Sequence, residues 1–87
     1  MSIRVELFGI PRHRAGVAET TAEGPDLAGV LADLALRFPG LAESCFDGPR
    51  LRPGYVANVN GDQFVTDPQT QLRAGDALLI LSADAGG

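Results

Sequence analysis

Few residues in this 87-residue chain can do side-chain chemistry. A single cysteine, Cys45, excludes an internal disulfide, a four-thiolate zinc site and a plant-type iron–sulfur cluster. A single histidine, His13, excludes a histidine-based metal site, so no metal is expected. All seven basic residues are arginines, which removes Schiff-base chemistry and any lysine acceptor. Cys45 lies in a Gly/Pro-rich stretch and reads as a small anchoring residue rather than a sulfur donor. His13 between Arg12 and Arg14 reads as part of a solvated basic loop, and Asp67, Asp76 and Asp84 read as turn or surface residues. What remains is the main chain of Ser82-Ala83-Asp84-Ala85-Gly86-Gly87.

That segment has small residues and little to bury, while ordering each residue costs about 1–2 kcal/mol of backbone entropy. A flexible tail over residues 82–87 is therefore expected, reaching roughly 20 Å when extended. Asp84, Ala85 and Gly86 would thread a narrow channel of another protein, and the terminal glycines put no Cβ beside the last carbonyl. A bare carboxylate is a poor electrophile. If an adenylating enzyme lets the Gly87 carboxylate attack the α-phosphate of ATP, the acyl-adenylate is open to a sulfur nucleophile such as a persulfide, which displaces AMP on the way to a thiocarboxylate on Gly87. On this reading the chain binds no cofactor itself; ATP belongs to the activating partner.

Length and charge narrow the rest. A chain this short buries only about 60–65% of its unfolded surface, which favours one domain and a carrier, adaptor or binding module over a large enzyme. Its formal charge of −4 disfavours nucleic acid and anionic membranes as partners. The apolar run Ala77–Leu81 is far short of the roughly 20 residues that span a bilayer, and charged Arg4 and Glu6 interrupt the N-terminus, so a cytoplasmic address is the default.

The elements that must hold the tail are legible as periods. Ile3, Val5 and Leu7 alternate with Arg4, Glu6 and Phe8 as a first strand. Gly9-Ile10-Pro11 breaks it, Arg12 to Gly16 reads as a loop or turn, and Val17 to Thr21 as a second strand paired back on the first. Leu27, Val30, Leu31, Leu34, Ala35 and Phe38 form the stripe of an amphipathic helix. Pro25 suits its first turn, with Asp26 as the other candidate for its N-terminal boundary, and Pro39-Gly40 is expected to end it. Residues Pro39 to Gly54 read as irregular, anchored by Leu41 and Phe46. Tyr55 to Asn60 and Phe64-Val65 flank an Asn60-Gly61 hairpin, Thr66 to Arg73 is irregular, and Ala77–Leu81 is the apolar central strand. One helix over a mixed sheet of about five strands, with first and last strands parallel neighbours, is an α+β β-grasp or ubiquitin-like fold. Residues 1–81 would form this domain. Phe8, Leu79 and Leu81 would face away from the helix as a surface for docking a partner.

The ordered set Ile3-Arg4-Val5-Glu6-Leu7-Phe8-Gly9, Leu31-Ala32-Asp33-Leu34-Ala35-Leu36-Arg37-Phe38-Pro39, Val59-Asn60-Gly61 and Leu72-Arg73-Ala74-Gly75-Asp76-Ala77-Leu78-Leu79-Ile80-Leu81 before Gly86-Gly87 resembles the MoaD/ThiS family of ubiquitin-like sulfur-carrier proteins over essentially the whole chain. The resemblance implies a β-grasp fold, a partner adenylating enzyme of the ubiquitin-activating type, and thiocarboxylation of Gly87. It implies no catalysis by the chain itself, which would be the small non-catalytic subunit if it belongs to a molybdopterin synthase. The long 39–54 connection and Arg50-Leu51-Arg52-Pro53 are closer to MoaD-like and cysteine-type carriers, which puts sulfur delivery to molybdopterin first, with the large synthase subunit as acceptor. Cysteine, thiamine and specialised-metabolite sulfur incorporation are the alternatives; the tail lacks the paired prolines often found in the family. Two other function classes compete, a ubiquitin-like modifier conjugated to lysines of targets and a β-grasp interaction module without tail chemistry.

Overall fold

The computed structural model describes residues 2–84. In chain order the elements are β1 Ser2–Leu7, α1 Ile10–Ala15, β2 Glu19–Glu23, α2 Leu27–Arg37, α3 Pro39–Cys45, β3 Phe46–Asp47, β4 Arg50–Leu51, β5 Tyr55–Val59, β6 Gln63–Val65 and β7 Ala77–Ser82. Five strands form one sheet in the order β2-β1-β7-β5-β6, and β3 pairs with β4 in a small separate hairpin. The first and last strands are parallel neighbours, with Val5 opposite Leu78 and Leu7 opposite Ile80, while the other pairings in the sheet are antiparallel. This is the expected β-grasp, with the most apolar strand at its centre.

The core follows from the two periods. Ile3, Val5 and Leu7 of β1 and Leu78 and Ile80 of β7 are buried against Leu27, Val30, Leu31 and Leu34 of α2, whereas Leu36, off that stripe, is exposed. Asp26 is the N-cap: its backbone is extended and its carboxylate accepts from the Gly29 N–H at 2.8 Å. The irregular 66–73 segment completes this helix end, because the carbonyls of Thr70 and Pro68 accept from the N–H groups of Leu27 and Ala28. Gly24 and Gly29 pack backbone to backbone. A Cβ on Gly24 would stand 2.6 Å from the Val30 nitrogen, and one on Gly29 would be 3.2 Å from the Gly24 Cα. Close approach therefore offsets the propensity cost of a glycine in α2. Arg37, besides complementing the helix C-terminus, ties α2 to edge strand β2 through the carbonyl of Thr21 at 2.6 Å and the hydroxyl of Thr20 at 3.2 Å.

Several local expectations need correction. Residues 10–15 form helix α1 rather than a loop. Pro11 sits in its first turn and is buried, and Gly16, at φ 79°, closes it with an N–H donated to the carbonyl of Arg12. This is the Pro-first, Gly-last signature, on a helix too short to show a period. The second strand begins at Glu19, leaving Val17 outside it but packed on the core. Pro39 ends α2 and also opens α3, with Phe38 capping both helices. The 39–54 connection is therefore a helix and a hairpin, and its anchors Leu41 and Phe46 are buried as expected, joined by Cys45 and Leu51. Among the described residues no helix is long and apolar enough to cross a membrane.

Candidate functional site

Side chains alternate across a strand, so Leu79 and Leu81 share the sheet face opposite Leu78 and Ile80. The pairing register lays one row straight across that face: Glu19, Glu6, Leu79, Asn58 and Phe64, one from each strand. Beside it, Leu81 stands opposite Val56, and the Phe8 N–H donates to the carbonyl of Ile80 at 3.1 Å. The three residues expected to form a docking patch thus lie side by side, Leu79 and Leu81 in β7 and Phe8 one residue past β1, but differ in what they offer. Phe8 is 51% exposed, Leu79 is half-buried and Leu81 is only 5% exposed. Phe64, at 63%, is the largest aromatic surface on this face and lies outside the expected set. Its signal was present in the Asn60-Gly61 hairpin: both residues have positive φ, the Asp62 N–H donates to the carbonyl of Val59, and the resulting register puts Phe64 opposite Asn58.

The chain leaves the sheet at a fixed point. Ser82 extends β7 one residue past Leu81 and pairs with Tyr55. The Ala83 N–H then donates to the carbonyl of Gly54 at 2.8 Å, and Asp84 is exposed immediately after. Ala85, Gly86 and Gly87, which carry the rest of the proposed threading segment and the proposed thiocarboxylation site, lie outside the described residues.

A polar lock holds the other end of β7. Asn60 Nδ2 donates to the Asp76 carboxylate at 3.0 Å, and Asn60 Oδ1 accepts from the Ala77 N–H at 2.8 Å. The second Asp76 oxygen accepts from the Arg73 N–H at 2.8 Å. These bonds, the Asn60 one foremost, hold the Asp76 carboxyl below the ordinary aspartate range. At the exit end, burial pushes the Tyr55 phenol above its ordinary value, with the neighbouring Cys45 adding to the shift. Cys45 itself is fully buried. Among the described residues no group of three His, Cys, Asp or Glu side chains could hold a metal ion. The geometry is that of a sheet with a semi-apolar outer face whose central strand, β7, carries the chain to its exit at Ser82.

Comparison with known proteins agrees with this geometry. No protein of curated function matches the sequence. A chain of the Amycolatopsis orientalis BexX/CysO complex is 26% identical with a TM-score of 0.81, over 98% of this chain and 99% of that one. CysO of Mycobacterium tuberculosis, an antigen, is 27% identical with a TM-score of 0.78, over 93% and 98%. SAMP1 of Haloferax volcanii is 22% identical with a TM-score of 0.79 over the whole of both chains, a likeness of fold. The profile of the ThiS family matches residues 5–87, and with that match over nearly its full length the chain belongs to the ThiS family.

Proposed function

We propose that the chain is a sulfur carrier loaded at Gly87. A partner adenylating enzyme of the ubiquitin-activating type joins the Gly87 carboxylate to AMP from ATP, with pyrophosphate leaving. A persulfide donor then displaces AMP to give an acyl disulfide, a thiol cleaves its S–S bond and leaves as a disulfide, and the freed thiocarboxylate is presented to a biosynthetic acceptor enzyme. The chain performs no catalysis and holds no cofactor. Its body is recognised through the Phe8, Leu79 and Phe64 face, while Asp84, Ala85 and Gly86 thread into the partner. The observation that carries this reading is the family match reaching through Gly86 and Gly87. A related fold in complex with a partner protein, BexX/CysO, supports recognition by protein.

For the acceptor we propose the large subunit of molybdopterin synthase, with cysteine, thiamine or specialised-metabolite routes as the alternatives. The test is intact mass after incubation with an adenylating enzyme, ATP and a sulfur source. Replacement of one terminal oxygen by sulfur, lost on deletion of Gly87, is the expected result. Higher-mass adducts on lysines of other proteins would instead assign a modifier, and no ATP-dependent change would leave an interaction module. Mixing the loaded chain with each acceptor enzyme then decides the route.

A further inference from the structure

Asn58 is 7% exposed, the one buried polar residue among those described, yet its side-chain amide makes no hydrogen bond among the described residues. Among the described residues no side-chain nitrogen or oxygen is both sealed from solvent and unpaired, so the Asn58 amide stays open at the surface and free to pair with a group from outside the chain. Asn58 lines a depression of about 240 Å³ on the outward sheet face, with Glu6, Gly61, Ala77, Leu78 and Leu79. Glu6 is the only charged residue in that lining. It stands opposite Glu19, and Arg4 serves both carboxylates, at 2.9 Å to Glu6 and 3.0 Å to Glu19. Two acids share one guanidinium, so the rim stays negative on a chain of formal charge −4. On the other side of Asn58 lies the exposed ring of Phe64.

We propose that Asn58 is the polar reader of this face, and that it receives an arginine side chain projecting from the apolar docking surface of a protein partner. The arginine N–H donates to Asn58 Oδ1, the Glu6 carboxylate favours the positive charge, and the Phe64 ring offers its face to the guanidinium. Arginine is chosen over lysine because its planar, weakly hydrated head pairs with an amide oxygen and stacks on an aromatic ring together. A carboxylate occupant is opposed by Glu6, and a neutral peptide group gains nothing from it. The inference rests on the protein docking proposed above and names what the partner must present.

Two measurements test it. In ATP–pyrophosphate exchange with the adenylating enzyme, Asn58→Leu is expected to raise KM for the chain about tenfold with kcat unchanged. Asn58→Asp, which keeps the acceptor oxygen and adds charge, restores KM to the wild-type value or below. If Asn58→Asp is as impaired as Asn58→Leu while both remain folded by circular dichroism, the occupant needs the amide donor and the arginine is wrong. Independently of any enzyme, ¹⁵N spectra are recorded with N-acetylarginine methylamide, N-acetyllysine methylamide or N-methylacetamide. Saturable shifts at the Asn58 side chain, Glu6 and Leu79 with the arginine compound, weaker with the lysine one and abolished in Asn58→Leu, are expected. Equal shifts with N-methylacetamide, no saturable shift with arginine, or shifts produced by raising protein concentration alone would overturn the proposal, the last in favour of a second copy. An enzyme that fails to adenylate the chain would defeat the carrier function, while the spectra still decide the role of Asn58.

Discussion

Asn60 holds Asp76 across the start of the central strand, its amide donating to one carboxylate oxygen at 3.0 Å while its own carbonyl oxygen accepts from Ala77 at 2.8 Å. One side chain from the β5–β6 turn thereby fixes where β7 begins, and so which β7 residues face outward. Asp76 is ionised in this arrangement, and its depressed pKa gives a signed expectation. The unfolded chain takes up a proton here first as pH falls, so the stability contributed by Asp76 is complete above the ordinary aspartate value of about 3.9 and lost as pH drops through the lower folded value. Thermal unfolding of Asp76→Asn should show a shallower loss of stability across that acid range than wild type, with the two curves converging at the lowest pH. Parallel curves throughout would remove Asp76 from the account.

Tyr55 titrates in the opposite sense. Burial raises its phenol pKa, so above about pH 10 the unfolded chain loses this proton before the folded one does, and folding stability falls with rising pH. Tyr55 is the only tyrosine and the chain has no tryptophan, so tyrosinate absorbance reports this group alone. The native titration midpoint should lie above that of the denatured protein. Tyr55→Phe should retain more of its stability at alkaline pH.

Phe8, just past β1, and Leu81, in the adjacent strand β7, should separate on mutation. Phe8 is 51% exposed, so Phe8→Ala should change stability by no more than about 0.5 kcal/mol while raising KM for the adenylating enzyme. Leu81 is 5% exposed, so Leu81→Ala should cost about 2–4 kcal/mol in urea unfolding. Equal destabilisation by the two substitutions would contradict the burial on which the docking face is drawn.

Gly24→Ala should destabilise by about 1–3 kcal/mol, since the added methyl would stand 2.6 Å from a backbone nitrogen that cannot rotate away. Gly48→Ala meets no neighbouring atom and carries only the strain of a positive φ, about 1 kcal/mol. Urea midpoints of the two variants would show whether close packing or backbone conformation limits glycine replacement here.

The main elements and the fold class were legible because burial imposes a period. Alternation marked β1, the stripe from Leu27 to Phe38 marked α2, and the apolar run Ala77–Leu81 marked the centre of the sheet. Asn60-Gly61 gave the hairpin through its tolerance of positive φ. Short helices α1 and α3 escaped, because six or seven residues hold too few repeats and proline reads as a break even where it opens a helix. The chemistry proposed for Gly87 comes from residue type and family pattern alone, since a main-chain carboxylate needs no constellation of side chains.

Residues distant in sequence met only through the tertiary structure. Glu19, Glu6, Leu79, Asn58 and Phe64 carry no common motif, and their single row exists because strand register aligns five segments across one sheet. The unequal burial of Phe8, Leu79 and Leu81, and the unpaired amide of Asn58, were likewise decided by packing. Sequence period assigns a side chain to a face, but what covers that face depends on segments whose positions are set only when the whole chain closes on its core.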